Sequence, residues 1–187
     1  MFESWFSRES NDAISILKRD HDTVEELFGQ FEKAKQRAQK KNIVAKALEE
    51  LKVHAAVEEE IFYPAVRAEL DRDIMTEADE EHHVAKVLIG ELEKMSGTEE
   101  HYDAKFTVLA ENVRHHIKEE EGEMLPKARK LPIDFDALGE RILARKEVLL
   151  TKGVPVTDEQ RAAKPKANSP AKAAKRKSAP KTRTAGR

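Results

Sequence analysis

Apolar residues return every three or four positions over most of the first 150 residues, which is the spacing of one face of an α-helix and not the alternation of a strand. Ile14, Leu17, His21, Val24, Phe28 and Phe31 form the first stripe, with Ser10 or Asn11 placed to cap it and the polar run from Lys33 to Lys41 to end it. Asn42 would open a second helix, whose inward face carries Ala47, Leu48, Leu51, His54, Glu58, Ile61 or Phe62, and Ala65; Pro64 lacks a backbone donor and should kink or end it near residue 63. A third helix is expected from about Thr76 or Ala78, with Met75, Ala78, His82, Ala85, Ile89 and Leu92 on its face and Gly97 as its stop. Thr98 opens a fourth, where Glu99 and Glu100 suit the positive N-terminal end and Tyr102, Phe106, Leu109, Val113, His116, Glu120 and Met124 share a face. After Pro132, a shorter stripe of Phe135, Leu138, Ile142 and Leu149 would cover one side or end of the bundle. The pattern predicts an all-α fold: an up-down-up-down four-helix bundle with an extra C-terminal helix, over residues 1–150.

Several of these stripes contain ionisable residues where a core should be. A lone histidine such as His21 is ordinarily a hydrogen-bonded core residue. Glu58 is harder to explain, because a buried carboxylate is costly unless it is paired or bound to a cation, and it lies one turn from His54. Four residues advance a helix by about 6 Å and return to within roughly 40° of the same direction, so His54 with Glu58, and His116 with Glu120, would each aim a nitrogen and a carboxylate the same way. Glu59 and Glu60 turn away and read as solvated surface, as do His83 and His101, with His115 at the surface or behind the site.

The chain also repeats itself. At an offset of 62, His54, Glu58, Glu59 and Pro64 fall on His116, Glu120, Glu121 and Pro126; at an offset of 61, His21 falls on His82 and Gly29 on Gly90. Each half offers one lone histidine followed by a His-x-x-x-Glu. The repeat selects His82 over His83 and His116 over His115. Folding the halves together about a pseudo-two-fold axis gathers His21, His54, Glu58, His82, His116 and Glu120. Four imidazoles and two carboxylates suit two ions, each held by two histidines and bridged by the glutamates. Nitrogen and oxygen donors without sulfur fit iron, manganese or zinc.

Composition narrows the donors and divides the chain. No cysteine occurs, which excludes disulfides and thiolate metal sites. The net charge of −2 hides a split: residues 161–187 hold ten Lys or Arg and no acid, so residues 1–160 set the other 24 bases against all 36 acids, a balance of −12. Residues 151–187, rich in Lys, Ala, Pro and Ser, have too few large apolar side chains to fold and are expected to be a disordered basic tail beginning near Val154. Such a polycation would contact nucleic acid through phosphate without reading sequence. The first residues, Met1 to Ser7, show no leader pattern, and Phe2, Trp5 and Phe6 would cap one end of the core. With no stretch of membrane-spanning length, a cytoplasmic protein is the expectation.

At Asp20-His21-Asp22, at His54 through Pro64, at Glu81-His82 and at His116-Ile117-Lys118-Glu119-Glu120, the sequence resembles the hemerythrin family, in the branch named for its His-His-Glu cation-binding motif. The resemblance covers roughly residues 10–130. It implies a four-helix bundle holding a non-haem di-iron centre, with His21, His54, His82 and His116 as terminal ligands and Glu58 and Glu120 bridging. Two iron ions are the implied cofactor, ahead of manganese or zinc, and oxygen, peroxide or nitric oxide the implied small ligand. The oxygen carriers of the family have a fifth histidine four residues after the one in the third helix; here that position is Lys86. The departure favours reactivity or sensing over reversible oxygen carriage. Two other readings stand beside this one: a metal-free helical bundle acting as an interaction protein, and a DNA-associated protein acting through its tail.

Overall fold

A computed structural model describes residues 10–158 and residue 161. Five helical rods run through them. α1 is Ala13–Lys33. α2 begins as Arg37–Val57, passes through a π-turn at Glu58–Phe62 and finishes as Tyr63–Val66. α3 is Arg72–Glu93. α4 repeats the construction of α2, as Tyr102–Glu119, a π-turn at Glu120–Met124 and Leu125–Ala128. α5 is Phe135–Lys152. α1 packs on α2 and α3 on α4, the pairs meet along α2–α3 and α1–α4, and α5 lies across α1 and α2. The result is the up-down-up-down bundle with an added C-terminal helix, without strands among the described residues.

Several element boundaries differ from expectation for identifiable reasons. Asp12, not Ser10 or Asn11, caps α1: its carboxylate accepts from the N–H groups of Ile14 at 3.0 Å and Ser15 at 3.2 Å. α2 opens at Arg37, so Asn42 lies inside the helix, where a strong former such as Lys or Ala on either side outweighs its capping preference. α3 begins at Arg72 because Asp71 accepts from the N–H of Asp73 at 3.0 Å, ahead of Thr76 and Ala78. Thr98 does not start α4; residues 99–101 bend and turn into it, and Glu99 ties the approach by accepting from the N–H groups of Ser96, Gly97 and Thr98. Pro64 does not end α2. The widened turn before it places the Tyr63 N–H on the Glu58 carbonyl, five residues back, and relieves the crowding that a proline ring imposes on a regular turn. Pro126 follows the second π-turn in the same way.

Two apolar clusters fill the bundle, one toward each end. Ile14, Leu17, Val57, Phe62, Val66, Met75 and Leu125 join Phe135, Leu138, Ile142 and Leu149 of α5 in the first. Val24, Phe28, Phe31, Leu48, Leu51, Ile89, Phe106, Leu109 and Val113 make the second. Each large side chain so buried contributes about 1.5–3 kcal/mol, and together they hold the polar residues between them in fixed positions. α5 seats closely on the start of α1: a Cβ added at Gly139 would lie 2.1 Å from the Asn11 carbonyl oxygen, so glycine is what permits the approach.

The described chain continues past the point where order was expected to fail, since Val154 packs against the first apolar cluster. The rest of the basic tail, residues 159–160 and 162–187, and the aromatic residues Phe2, Trp5 and Phe6 lie outside the described residues.

Candidate metal centre

Between the two apolar clusters lie the buried ionisable residues His21, His54, Glu58, His82, His116 and Glu120, none more than 6% exposed. These are the six that the stripes and the repeat select. They form two linked groups, His21, His54, Glu58 and Glu120 on one side and Glu58, His82 and His116 on the other, with donor atoms within 4.8 Å of one another in each. Nε2 of His21 stands 3.1 Å from Nε2 of His54 and 3.1 Å from Glu120 Oε2. Across the axis, Nε2 of His82 stands 3.3 Å from both Nε2 of His116 and Glu58 Oε2. Glu58 also lies 3.2 Å from His54 Nε2, and Glu120 3.8 Å from His116 Nε2.

Every imidazole is backed by a carboxylate on another helix. Nδ1–H of His21 donates to Glu121, that of His82 to Glu59 and that of His116 to Glu81, each at 2.8 Å. Asp20 faces Nδ1 of His54 at 3.5 Å, too long for a hydrogen bond, and completes the set. An ionised carboxylate only accepts, so it fixes the proton on Nδ1 and aims Nε2 inward, which is the arrangement that orients histidine toward a metal. Glu59 was expected to be solvated surface; it binds His82 and, at 2.5 Å, Lys86. Glu60, read the same way, forms a two-pronged pair with Arg145 of α5 at 2.6 and 2.9 Å.

These four carboxylates obey the repeat. Asp20 and Glu81 precede the lone histidines at the offset of 61, and Glu59 and Glu121 follow the bridging glutamates at 62. Each serves a histidine other than its sequence neighbour: Asp20 faces His54 and Glu81 holds His116, whereas Glu59 holds His82 and Glu121 holds His21. The repeat therefore carried a signal for them, but their partners depend on which helices meet.

Tyr63 is the residue that stripe reading missed. Its hydroxyl lies 3.3 Å from His82 Nε2 and 3.5 Å from Glu58 Oε2. Regular helical spacing turns it away from Glu58, and the π-turn brings it back to the same side. Burial first, then the charges of Glu120 and Glu58, push the phenol well above its ordinary range, so it stays protonated.

The site's charges depend on one another. Burial disfavours the His54 imidazolium, yet Glu58 and Asp20 outweigh it and raise its pKa to about 10. Burial likewise opposes charge on His82, and Glu58 and Glu59 raise it to about 9. Burial would push Glu58 up, but His54 and His82 hold it well below the usual carboxylate range. Protons thus compensate the buried carboxylates when no cation does so. They do this incompletely: Glu58 Oε1 and both carboxylate oxygens of Glu120 are buried with no hydrogen-bond partner. Such orphaned acceptors facing inward imidazoles fit a cation of charge two or more, whose coordination would satisfy them.

A cavity of about 160 Å³ opens beside the histidines, lined also by Glu59, Glu60 and Glu81 but not by Glu58 or Glu120. All four imidazoles reach it, and Val24, Leu51, Ala85, Ile89 and Val113 make much of its wall. Lys86 lines it but is drawn to Glu59. Val154, Pro155 and Thr157 border it too, so the start of the expected tail forms part of the enclosure.

Residues 12–128 match the hemerythrin HHE cation binding domain. The chain belongs to the hemerythrin HHE cation-binding family. As a member it is a metal-binding helical protein, and the buried His/Glu groups are where its described residues could hold a metal. A hemerythrin HHE cation binding domain-containing protein from Mycobacterium kansasii has the same fold, with a TM-score of 0.63, 24% identity, and coverage of 76% of this chain and 94% of that one. A protein named DNA nickase, from Nostoc sp., is 24% identical over 114 residues, 61% of this chain and 32% of the relative. The hemerythrin-like chain thus spans about a third of the length of that curated relative. No helix among the described residues is long and apolar enough to cross a membrane.

Proposed function

We propose that this hemerythrin-like chain holds a non-haem di-iron centre that reacts with oxygen, peroxide or nitric oxide, in a sensing or oxidative-stress role in the cytoplasm. His21, His54, His82, His116, Glu58 and Glu120 would hold the two ions. The observation that carries the reading is the box of four inward Nε2 atoms around two glutamates whose buried oxygens lack partners. Iron, once bound, supplies the electron transfer to the small molecule, and the chain supplies the rest. Asp20, Glu59, Glu81 and Glu121 keep the imidazoles oriented and basic. Tyr63 keeps a phenolic proton within 3.3 Å of His82 Nε2, where it could be given to a reduced ligand. The apolar wall of the larger cavity admits a small uncharged molecule and keeps bulk water away, while Lys86 leaves one position clear of a fifth imidazole. The test is iron per chain and the visible spectrum of the purified protein with and without oxygen. About two irons with an oxygen-dependent band is the expected result; no iron, or iron unchanged in the His54→Ala/His116→Ala double variant, would refute it.

A second reading concerns nucleic acid. Residues 161–187 carry ten cations and no acid, and the Nostoc relative is named for acting on DNA. The tail would bind phosphate and hold DNA near the bundle, with affinity that falls steeply as salt rises. Binding and nicking of supercoiled plasmid by the full chain, compared with a truncation after Gly153 at low salt, decide it. Equal binding by the two proteins would remove the tail from the account.

A further inference from the structure

The two halves of the bundle share their six inner residues but differ in what covers them. Ile16, Val57 and Ile61 of the first half lie buried beneath α5. Applying the same offsets, 61 and 62, their counterparts in the second half are Glu77, Glu119 and Glu123. His115 likewise replaces the buried Val53, and its side chain is 58% exposed. Since α5 packs on α1 and α2, the seam between α3 and α4 is left open to solvent.

Solvent exposure alone explains why charged residues are tolerated there. It does not explain the space behind them. A second cavity, of about 70 Å³, runs from Glu77, Glu119 and Glu123 past Glu81 to His116 and Glu120. Glu120 is 1% exposed and both of its carboxylate oxygens are unpartnered. Glu81 bonds His116 through Oε2 and leaves a buried Oε1 unpartnered as well. Two residues of its lining, Glu81 and Glu119, join the exposed His115 in bringing one donor atom each within 4.8 Å of one another. His115 Nε2 lies 3.3 Å from Glu119 Oε1 and 3.6 Å from Glu81 Oε1. Glu123 of this lining pairs with Lys127 at 2.5 Å.

We propose that Glu81, His115 and Glu119 form an outer site for a divalent cation, and that the acid-lined cavity behind it conducts the ion to His116 and Glu120. Glu81 links the two stations, its Oε1 lying 3.6 Å from His115 Nε2 and its Oε2 fixing His116, so an ion held by Oε1 is already bound to a residue that touches an inner histidine. Three donors, two of them exposed, hold an ion weakly, as an entry site must. The mixed imidazole and carboxylate set suits iron(II), cobalt(II), manganese(II) or zinc(II). The carboxylates concentrate cations at a seam that α5 does not cover, whereas a neutral ligand has the larger, more apolar cavity. The inference rests on the reading of the buried box as a metal centre.

Loading is measured on the metal-free full-length protein by stopped flow with cobalt(II), following the visible absorbance of the bound ion. The variants Glu77→Gln/Glu119→Gln and His115→Ala are at the surface and leave the buried ligands in place. Both are expected to load about tenfold or more slowly than wild type, within the range that electrostatic focusing gives association rates, and to reach the same final number of ions. A control, Glu26→Gln/Glu49→Gln, makes the same change in net charge on the first two helices and should load at the wild-type rate. Wild-type rates in the seam variants, or an equal slowing in the control, would overturn the proposal while leaving the centre intact. A wild-type chain that takes up no cobalt would remove both.

Discussion

Removing the metal should reverse the way stability depends on pH. In the metal-free protein the pKa values of His54 and His82 stand at about 10 and about 9, against 6.5 for an ordinary imidazole. A group whose folded value is raised contributes stability that is fully present below its unfolded value and is lost as pH climbs through the folded one. The window is therefore pH 6.5 to about 10. One isolated group shifted that far would be worth about 5 kcal/mol at about 1.4 kcal/mol per unit. His54 and His82 share Glu58 and do not add, so the pair together is worth about the same 5 kcal/mol. At roughly 2–4 °C per kcal/mol for a domain of this length, the melting temperature of the stripped protein should fall by about 10–20 °C across the window. In the loaded protein proposed above the same imidazoles would be neutral ligands. Rising pH removes the protons that compete with the metal, so its melting temperature should hold or rise between pH 6 and 8. The assay is thermal unfolding by circular dichroism at half-unit steps, with stripped and reloaded samples side by side. A stripped protein with a flat profile from pH 6.5 to 9.5, or a loaded one that falls in parallel, would refute the linked-proton account of the site.

Four further outcomes follow from single contacts. Glu59→Gln takes the charged partner from His82 and Lys86, and should weaken metal binding about 10–100-fold in chelator competition while the ion count at saturation is unchanged. Gly139→Ala places a Cβ 2.1 Å from the Asn11 carbonyl oxygen and should destabilise by about 3 kcal/mol or more in denaturant unfolding; an unchanged midpoint would mean that α5 is not seated as described. Asp12→Ala removes the α1 cap and its 2.8 Å pair with Arg129, costing about 1–2 kcal/mol at neutral pH. Hydrogen bonds from Ser10, Ser15 and Arg129 overcome burial and hold the Asp12 carboxyl below its usual range, so that contribution is present above the ordinary carboxylate pKa and is lost as pH falls through the folded value; the variant should show a shallower acid slope. Ala85→Phe would fill the apolar cavity, and should slow binding of nitric oxide to the reduced, loaded protein without changing its iron content.

Much of the centre could be read without coordinates. His21, His54, Glu58, His82, His116 and Glu120 all sit on stripes with a 3.6-residue period, and a doubled pattern chose them over His83 and His115. Periodicity is a property of one helix at a time, so it reports which residues face inward. It does not report what they meet there. Glu59 and Glu121 lie one residue off the inward stripe and look like surface; only the approach of a neighbouring helix makes them partners of His82 and His21. Tyr63 was hidden for a different reason, because a local π-turn changes the period where the stripe is being counted.

The sequence by itself determined the helices, the duplication, the six inner donors and the absence of sulfur ligands, since each follows from spacing or residue type along a single chain. The tertiary structure decided the crossed pairing of histidines with outer carboxylates, the two cavities that reach the centre, and which helices α5 covers. That last difference arises because α5 has only one apolar stripe to bury and spends it on α1 and α2, leaving the matching face of α3 and α4 to its glutamates and to water.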